Sequence, residues 1–194
     1  MSPAAPLRIV LFGPESTGKT TLAEKLAARF AEPWVPEFVR EFWDTHNGVI
    51  TAADLDAIAR GQVGGEDAAA ARARRAVFCD TELLTCVLWD DLLFPGACPA
   101  WVRAEAERRA QSVALWLLCD TDLPWTPDPQ RCFPDAAGRA LCRQIWRDAL
   151  TSRGLPFVEI NGVWPEREAR AVAAVENLFD QWPAITTINS RHAG

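Results

Sequence analysis

The chain of 194 residues has no tyrosine, one methionine and two histidines, and lysine occurs only at positions 19 and 25. No apolar run approaches the ~20 residues of a membrane span. No dense Lys/Arg block offsets a net charge of −6 and a pI near 5.0. Polyanionic partners such as DNA and RNA are therefore disfavoured, although a small phosphate ligand is not. The six cysteines (79, 86, 98, 119, 132 and 142) contain no C-x-x-C pair and have no nearby His pair. That argues against a zinc site or disulfide framework and for small buried hydrophobes. His46, beside Asn47-Gly48, reads as a capping or surface residue. The segment Met1–Pro6 lacks the basic and apolar regions of a signal peptide, so cytoplasm is the expected compartment. A guanine-reading N-K-x-D segment is also missing, because Asn161-Gly162-Val163-Trp164 has neither the lysine nor the aspartate.

What the chain does have is Gly13-Pro14-Glu15-Ser16-Thr17-Gly18-Lys19-Thr20, which fills every fixed position of the P-loop pattern G-x-x-x-x-G-K-[ST]. An apolar run, Leu7 to Phe12, precedes it. After it, Leu22, Leu26 and Phe30 recur at helical spacing. Glycines let the backbone wrap a triphosphate, and the N–H groups and helix N-terminus point at the anion. Gly13, Glu15, Ser16, Thr17, Gly18, Lys19, Thr20 and Thr21 are thus the expected ATP-binding residues. Lys19 reaches the β/γ-phosphates, and the Thr20 hydroxyl ligates Mg²⁺.

Five apolar runs read as strands: Leu7–Phe12, Trp34–Glu37, Ala76–Asp80, Val113–Asp120 and Pro156–Ile160. Helices are expected around 18–30, 37–46, 52–60, 66–75, 82–93, 99–111, 135–153 and 165–181. Thr51 with Asp54 resembles a capping box, Gly61, Gly64 and Gly65 interrupt the stretch that follows, and Asp135 caps a helix. Alternating strands and helices, with 49% hydrophobic and 24% charged residues, fit one soluble domain. The expected fold is α/β: a three-layer P-loop NTPase, nucleoside- or adenylate-kinase-like, with a five-stranded parallel sheet in the order 2-3-1-4-5. The reading divides the chain into a tail (1–6), a kinase domain (7–182) and a second tail (183–194), with Pro183 ending the last helix.

Large motor-type ATPases need more chain than this, which leaves a compact kinase with a small hydroxyl acceptor. Such an enzyme needs carboxylates near metal and acceptor, and arginines for developing charge. Asp80 and Asp120 end two strands in matching segments, Cys79-Asp80-Thr81-Glu82-Leu83 and Cys119-Asp120-Thr121-Asp122-Leu123. One is the expected metal-side carboxylate, and sequence physics does not choose between them. Glu37, Arg40 and Glu41 share a helical face at a strand end. Trp125-Thr126-Pro127-Asp128-Pro129-Gln130-Arg131 suits a lid delivering Arg131, with Arg139 and Arg143 in reserve.

The P-loop, Glu37-x-x-Arg40-Glu41-Phe42, Ala59-Arg60-Gly61-Gln62, Phe78-Cys79-Asp80-Thr81 with Leu84-Thr85, and Trp125-x-x-Asp128-x-x-Arg131 occur in one order. In that order they resemble the ribosylnicotinamide (nicotinamide riboside) kinases, the family of the kinase domain of NadR. The resemblance covers about residues 7–180. It implies phosphorylation of the ribose 5′-hydroxyl of nicotinamide riboside by ATP with Mg²⁺. It selects Asp80 over Asp120 as the metal-side or base carboxylate and makes Glu37 the second candidate for orienting the hydroxyl. Which of the two takes the proton stays open. Arg131 is then the residue for the transferring phosphoryl. Arg40, Trp125 and Asp128, with Glu37 and Asp80, are the acceptor-binding candidates, Trp125 against the pyridine ring.

Three departures mark the chain. Pro129 stands where the family lid commonly has glycine, which is expected to stiffen it. The adenylyltransferase signature H-x-G-H and a DNA-binding segment are missing. With no tyrosine, a pyridine ring must stack on Trp or Phe. The rival readings are a same-fold kinase for another nucleoside or small hydroxyl acceptor, and a non-enzymatic sensor of ATP and pyridine nucleotides. The expected partner is a small molecule, with no nucleic acid and no membrane.

Overall fold

The apolar runs pair into a five-stranded parallel sheet: β1 (Leu7–Phe12), β2 (Trp34–Val35), β3 (Ala76–Asp80), β4 (Val113–Cys119) and β5 (Phe157–Ile160), in the order β2-β3-β1-β4-β5. The computed structural model describes residues 5–191, with side chains as far as residue 181. Register sets Leu11 beside Asp80 and Phe12 beside Leu118. The carboxyl ends of the three middle strands therefore meet at one edge, where the strand order reverses. Open α/β sheets bind ligands at that edge.

Successive residues of a strand face opposite sides, and β1 is apolar on both because helices cover both. Val10 and Phe12 pack with Trp116, Cys142, Trp146 and Leu150, under α6 (Ala136–Thr151). Ile9 and Leu11 pack with Leu22, Leu26, Ala171 and Val175 of α1 (Lys19–Phe30) and α7 (Trp164–Arg191). A third cluster joins α3 (Leu55–Ala70), α4 (Leu83–Leu93) and α5 (Ala100–Ala110) through Ala59, Leu83, Val87, Val102 and Ala106. All six cysteines are free thiols, four of them buried. Among the described residues no helix is long and apolar enough to cross a membrane.

Several elements differ from the sequence reading. The second strand stops at Val35, because Pro36 has no N–H to continue the ladder. Glu37 is consequently the N-cap residue of α2 (Phe38–Thr45) rather than a strand end. The expected helices 52–60 and 66–75 are a 3₁₀ turn, Ala52–Asp54, running into one continuous α3. The Thr51–Asp54 capping box is formed in full. Three glycines do not break α3 because burial of Ile58, Ala59, Gln62, Glu66 and Ala69 outweighs their propensity cost of about 1 kcal/mol each. Gly61 is also the point where α3 touches α2: a Cβ there would lie 2.1 Å from Phe38 Cε1. The fourth strand ends at Cys119, which leaves Asp120 in the loop beyond it. The last helix passes through Pro183 to Arg191, so the proline stands inside it rather than at its end. Residues 1–4 and 192–194, His192 among them, lie outside the described residues.

Candidate active site

The P-loop turns sharply between β1 and α1. Gly13, at φ 146°, passes so close to β4 that a Cβ would stand 2.6 Å from the Cys119 carbonyl oxygen. Ser16 and Gly18 have left-handed φ values of 57° and 79°, and such alternation turns successive N–H groups inward into an anion-binding nest. The N-terminus of α1 adds its partial positive charge. Lys19, only 9% exposed, donates from Nζ to the Pro14 carbonyl at 2.8 Å, which holds the ammonium across the loop. Beneath the loop lies Arg167, a residue the sequence reading passed over. Its buried guanidinium donates to the carbonyls of Thr17 (3.0 Å), Asp120 (2.8 Å) and Ile160 (3.1 Å) and to Asp122 (2.5 Å). It thereby ties the P-loop to the ends of β4 and β5.

The matching Asp80 and Asp120 segments have separate fates. Asp80 accepts from the Thr20 hydroxyl at 2.5 Å, whereas Asp120 pairs with Arg143 at 2.6 Å. Asp80 Oδ1 is buried and has no hydrogen-bond partner. An acceptor pair facing a P-loop hydroxyl fits Mg²⁺, which takes one or two protein oxygens and leaves its other positions to phosphate and water. Burial pushes the Asp80 carboxyl above its ordinary range, against the pull of Lys19 and of the Thr20 hydrogen bond. The next residue, Thr81, is held at φ 67°, a strained conformation for a β-branched side chain.

Glu37 stands at the mouth of α2, its Oε2 3.4 Å from Arg40 Nε. Burial raises its carboxyl too, and Asp80 reinforces that shift while Lys19 and Arg40 oppose it. Glu41 is exposed and apart from this pair. The Ala59–Gln62 motif now has a role: Gln62 Oε1 accepts from the Phe38 N–H at 3.0 Å, while its amide donates to Glu66 at 3.2 Å. Glu66 is itself held by Arg8 (2.7 Å) and Arg109 (2.9 Å). The start of α2, and with it Glu37, is braced through α3.

The segment from Trp125 to Phe133 lies against the P-loop. Glu15 Oε1 accepts from the N–H groups of Cys132 and Phe133, each at 2.7 Å. Ser16 Oγ accepts from the Thr126 N–H at 3.0 Å and Arg131 Nη1 at 3.4 Å. Arg40 donates to Asp128 at 3.1 Å, and Arg131 Nε stands 3.9 Å from the same carboxylate. The backbone N–H of Gln130, then Arg40, holds the Asp128 carboxyl below its ordinary range. Trp125 is not a wall of the cavity; its ring lies under Arg131 and Arg139, with guanidinium carbons 5.7 and 5.5 Å from the centroid. Arg139 and Arg143 are not in reserve: Arg139 donates to the Thr121 and Leu123 carbonyls, and Arg143 is taken by Asp120.

A cavity of about 330 Å³ begins at residues 15–21 and is bordered by Glu37, Arg40, Thr81 and Arg131. Trp43, Ile50, Leu55 and Ile58 line it from the α2–α3 side, and Cys86, Trp89, Asp90 and Leu93 from α4. Trp43 and Trp89, and not Trp125, are the tryptophans that line this cavity. The available signal was the spacing 86, 89, 90, 93, one stripe of a helix whose other face is core.

The motif resemblance to the NadR kinase region reappears in sequence and in fold. The trifunctional NAD biosynthesis/regulator protein NadR of Salmonella typhimurium is 25% identical over 178 residues, covering 89% of this chain and 43% of its own length. This chain thus spans less than half of that relative. A NadR protein solved in complex with NAD and AMP-PNP matches with a TM-score of 0.67 at 20% identity, covering 90% of this chain and 49% of that one. One in complex with NR matches with a TM-score of 0.67 at 19% identity, covering 90% and 51%. The fold is that of P-loop kinases. Residues 8–167 match the model of the AAA domain family, so the chain belongs to that family.

Proposed function

We propose that the protein phosphorylates the ribose 5′-hydroxyl of nicotinamide riboside with ATP, giving nicotinamide mononucleotide and ADP, in the cytoplasm. The observation that carries this reading is the continuity of one cavity, from Lys19 and Thr20 past Glu37 to a space walled by Trp43 and Trp89. A triphosphate fits the first end and an aromatic nucleoside the second. A NadR protein solved with NR, read here as nicotinamide riboside, supports the choice of acceptor.

In this scheme the 5′-oxygen attacks the γ-phosphorus, the bond to the β,γ-bridging oxygen breaks, and ADP leaves with that electron pair. Lys19 and the loop amides stabilise charge on the phosphates, and Arg131, already against Ser16, meets the transferring group. Thr20 and Asp80 would hold Mg²⁺, which when bound neutralises phosphate charge. Glu37 receives the hydroxyl proton. It borders the cavity and its partner Arg40 is shared with Asp128, whereas Asp80 is engaged by Thr20. Asp128 acts through Arg40, and Trp125 through Arg131, outside the cavity.

The test is ADP release by the pure chain with Mg-ATP and a panel of ribosides. Nicotinamide riboside should be the preferred acceptor, and Lys19→Ala should abolish turnover. A general base contributes about 10²–10⁴-fold, so Glu37→Gln should lose less than Lys19→Ala. Turnover of uridine but not nicotinamide riboside overturns the acceptor. ADP from no acceptor overturns the enzyme and leaves a nucleotide sensor.

A further inference from the structure

The α4 stripe lining the cavity is Cys86, Trp89, Asp90 and Leu93, and a carboxylate is out of place in it. Asp90 is 6% exposed, and its Oδ2 is buried without a hydrogen-bond partner. No cation forms an ion pair with it among the described residues. The Cys98 thiol donates a hydrogen bond to it, but a thiol carries no counter-charge, and Arg103, which favours the ionised carboxylate only weakly, is committed to Asp91 through two hydrogen bonds. The cations that line the cavity are Lys19, Arg40 and Arg131, engaged respectively by Pro14, by Glu37 and Asp128, and by Ser16. Burial raises the Asp90 carboxyl to about 6, so at neutral pH it is mostly ionised.

An unpaired buried charge destabilises a fold unless something binds it. Here the surroundings are the indole of Trp89 on the same helix face and apolar side chains across the cavity. A flat ring carrying positive charge gains from both: the aromatic faces attract a cation, and the carboxylate supplies the counter-charge. An uncharged ring gains only the apolar part. We propose that Asp90 is the specificity-determining residue of the acceptor end, selecting a cationic heteroaromatic ring over a neutral one of the same shape. The proposal rests on the kinase reading for the identity of the riboside, but not for the ring preference itself.

The experiment compares wild type and Asp90→Asn in two arms. In the first, kcat/KM is measured for nicotinamide riboside and for its dihydro form, which keeps the ribose and carboxamide but has an uncharged ring. The substitution should lower kcat/KM for the cation about 10–100-fold, mainly through KM, and change the dihydro form about threefold or less. KM for ATP should stay the same. In the second arm, calorimetry measures binding of 1-methylnicotinamide cation and of neutral nicotinamide, which needs no phosphoryl transfer. Wild type should prefer the cation and the variant should not. Removing an uncompensated charge should leave the melting temperature equal or higher, which separates lost recognition from lost folding. Equal losses for both ribosides, or no cation preference in the wild type, would overturn the assignment even with the kinase active. A preference for the methylated cation that depends on Asp90, with neither riboside phosphorylated, would sink the kinase reading and leave Asp90 standing.

Discussion

Gly61→Ala should destabilise the protein although it places the best helix former inside a helix. The added Cβ would lie 2.1, 2.3 and 2.4 Å from Cε1, Cζ and Cδ1 of Phe38. Three ring atoms inside contact distance are not cleared by a small rotation, and the Phe38 backbone is pinned by Gln62. Overpacking of this kind costs about 1–3 kcal/mol, and the severity here points to the upper part. Replacing a helical glycine by alanine returns about 0.8–1 kcal/mol. The net is a loss of about 2 kcal/mol, or about 4–8 °C in melting temperature for a chain of this size. The same helix supplies its control: a Cβ at Gly64 meets nothing within 4 Å. Gly64→Ala should therefore raise stability by about 1 kcal/mol. Urea unfolding and thermal melts of the two variants measure the difference. On a Phe38→Ala background the Gly61→Ala penalty should vanish, because the clash is with that ring. Activity should fall with Gly61→Ala as well, since displacing Phe38 moves Glu37. A Gly61→Ala protein as stable as Gly64→Ala would refute the close α2–α3 contact.

Arg167→Met should cost several kcal/mol in urea unfolding and weaken nucleotide binding, because it strands buried carbonyls of Thr17 and Ile160 at about 1–3 kcal/mol each; an unchanged midpoint would contradict the tie. Glu82 caps α4 through the Thr85 N–H at 3.2 Å, is 2% exposed, and has its carboxyl pushed to about 8, chiefly by burial. Because the folded value lies above the unfolded one, its contribution is complete at low pH and is lost as pH rises through this window. Glu82→Gln should match wild type near pH 4 and gain on it by up to about 1.4 kcal/mol per pH unit towards pH 8, as read from melts across pH. Asp80 and Glu37 are likewise raised by burial, so Asp80→Asn should abolish magnesium-dependent turnover while leaving the ligand-free protein at least as stable at neutral pH. A destabilised Asp80→Asn protein would argue against an uncompensated carboxylate there.

The parts of this structure that could be read from the sequence are those written in neighbouring residues. An apolar run, a glycine-rich turn and an amphipathic helix follow one another from Leu7 to Phe30, so β1, the P-loop and α1 emerge together. The strand order agrees with the expectation for a P-loop kinase. Where the reading went astray, a tertiary contact decided. The α3 glycines looked like breaks because the ring that fills the space at Gly61 belongs to another helix. Asp80 and Asp120 share a local pattern and differ only in what stands opposite, Thr20 for one and Arg143 for the other. Trp125 sits in the resembling motif but faces two arginines, whereas Trp89 reaches the cavity from α4, where the spacing 86, 89, 90, 93 was the one local sign, and Trp43 from α2. Arg167 was invisible because its acceptors come from three segments far apart in the chain.

The most direct measurement is ³¹P NMR of the full chain incubated with Mg-ATP and nicotinamide riboside, with the product's phosphate located by its coupling to the ribose protons. The account predicts ADP and a phosphomonoester on the 5′-carbon in equal amounts, and neither with Lys19→Ala. ATP that stays intact beside the riboside, or phosphate appearing on another hydroxyl, would contradict it.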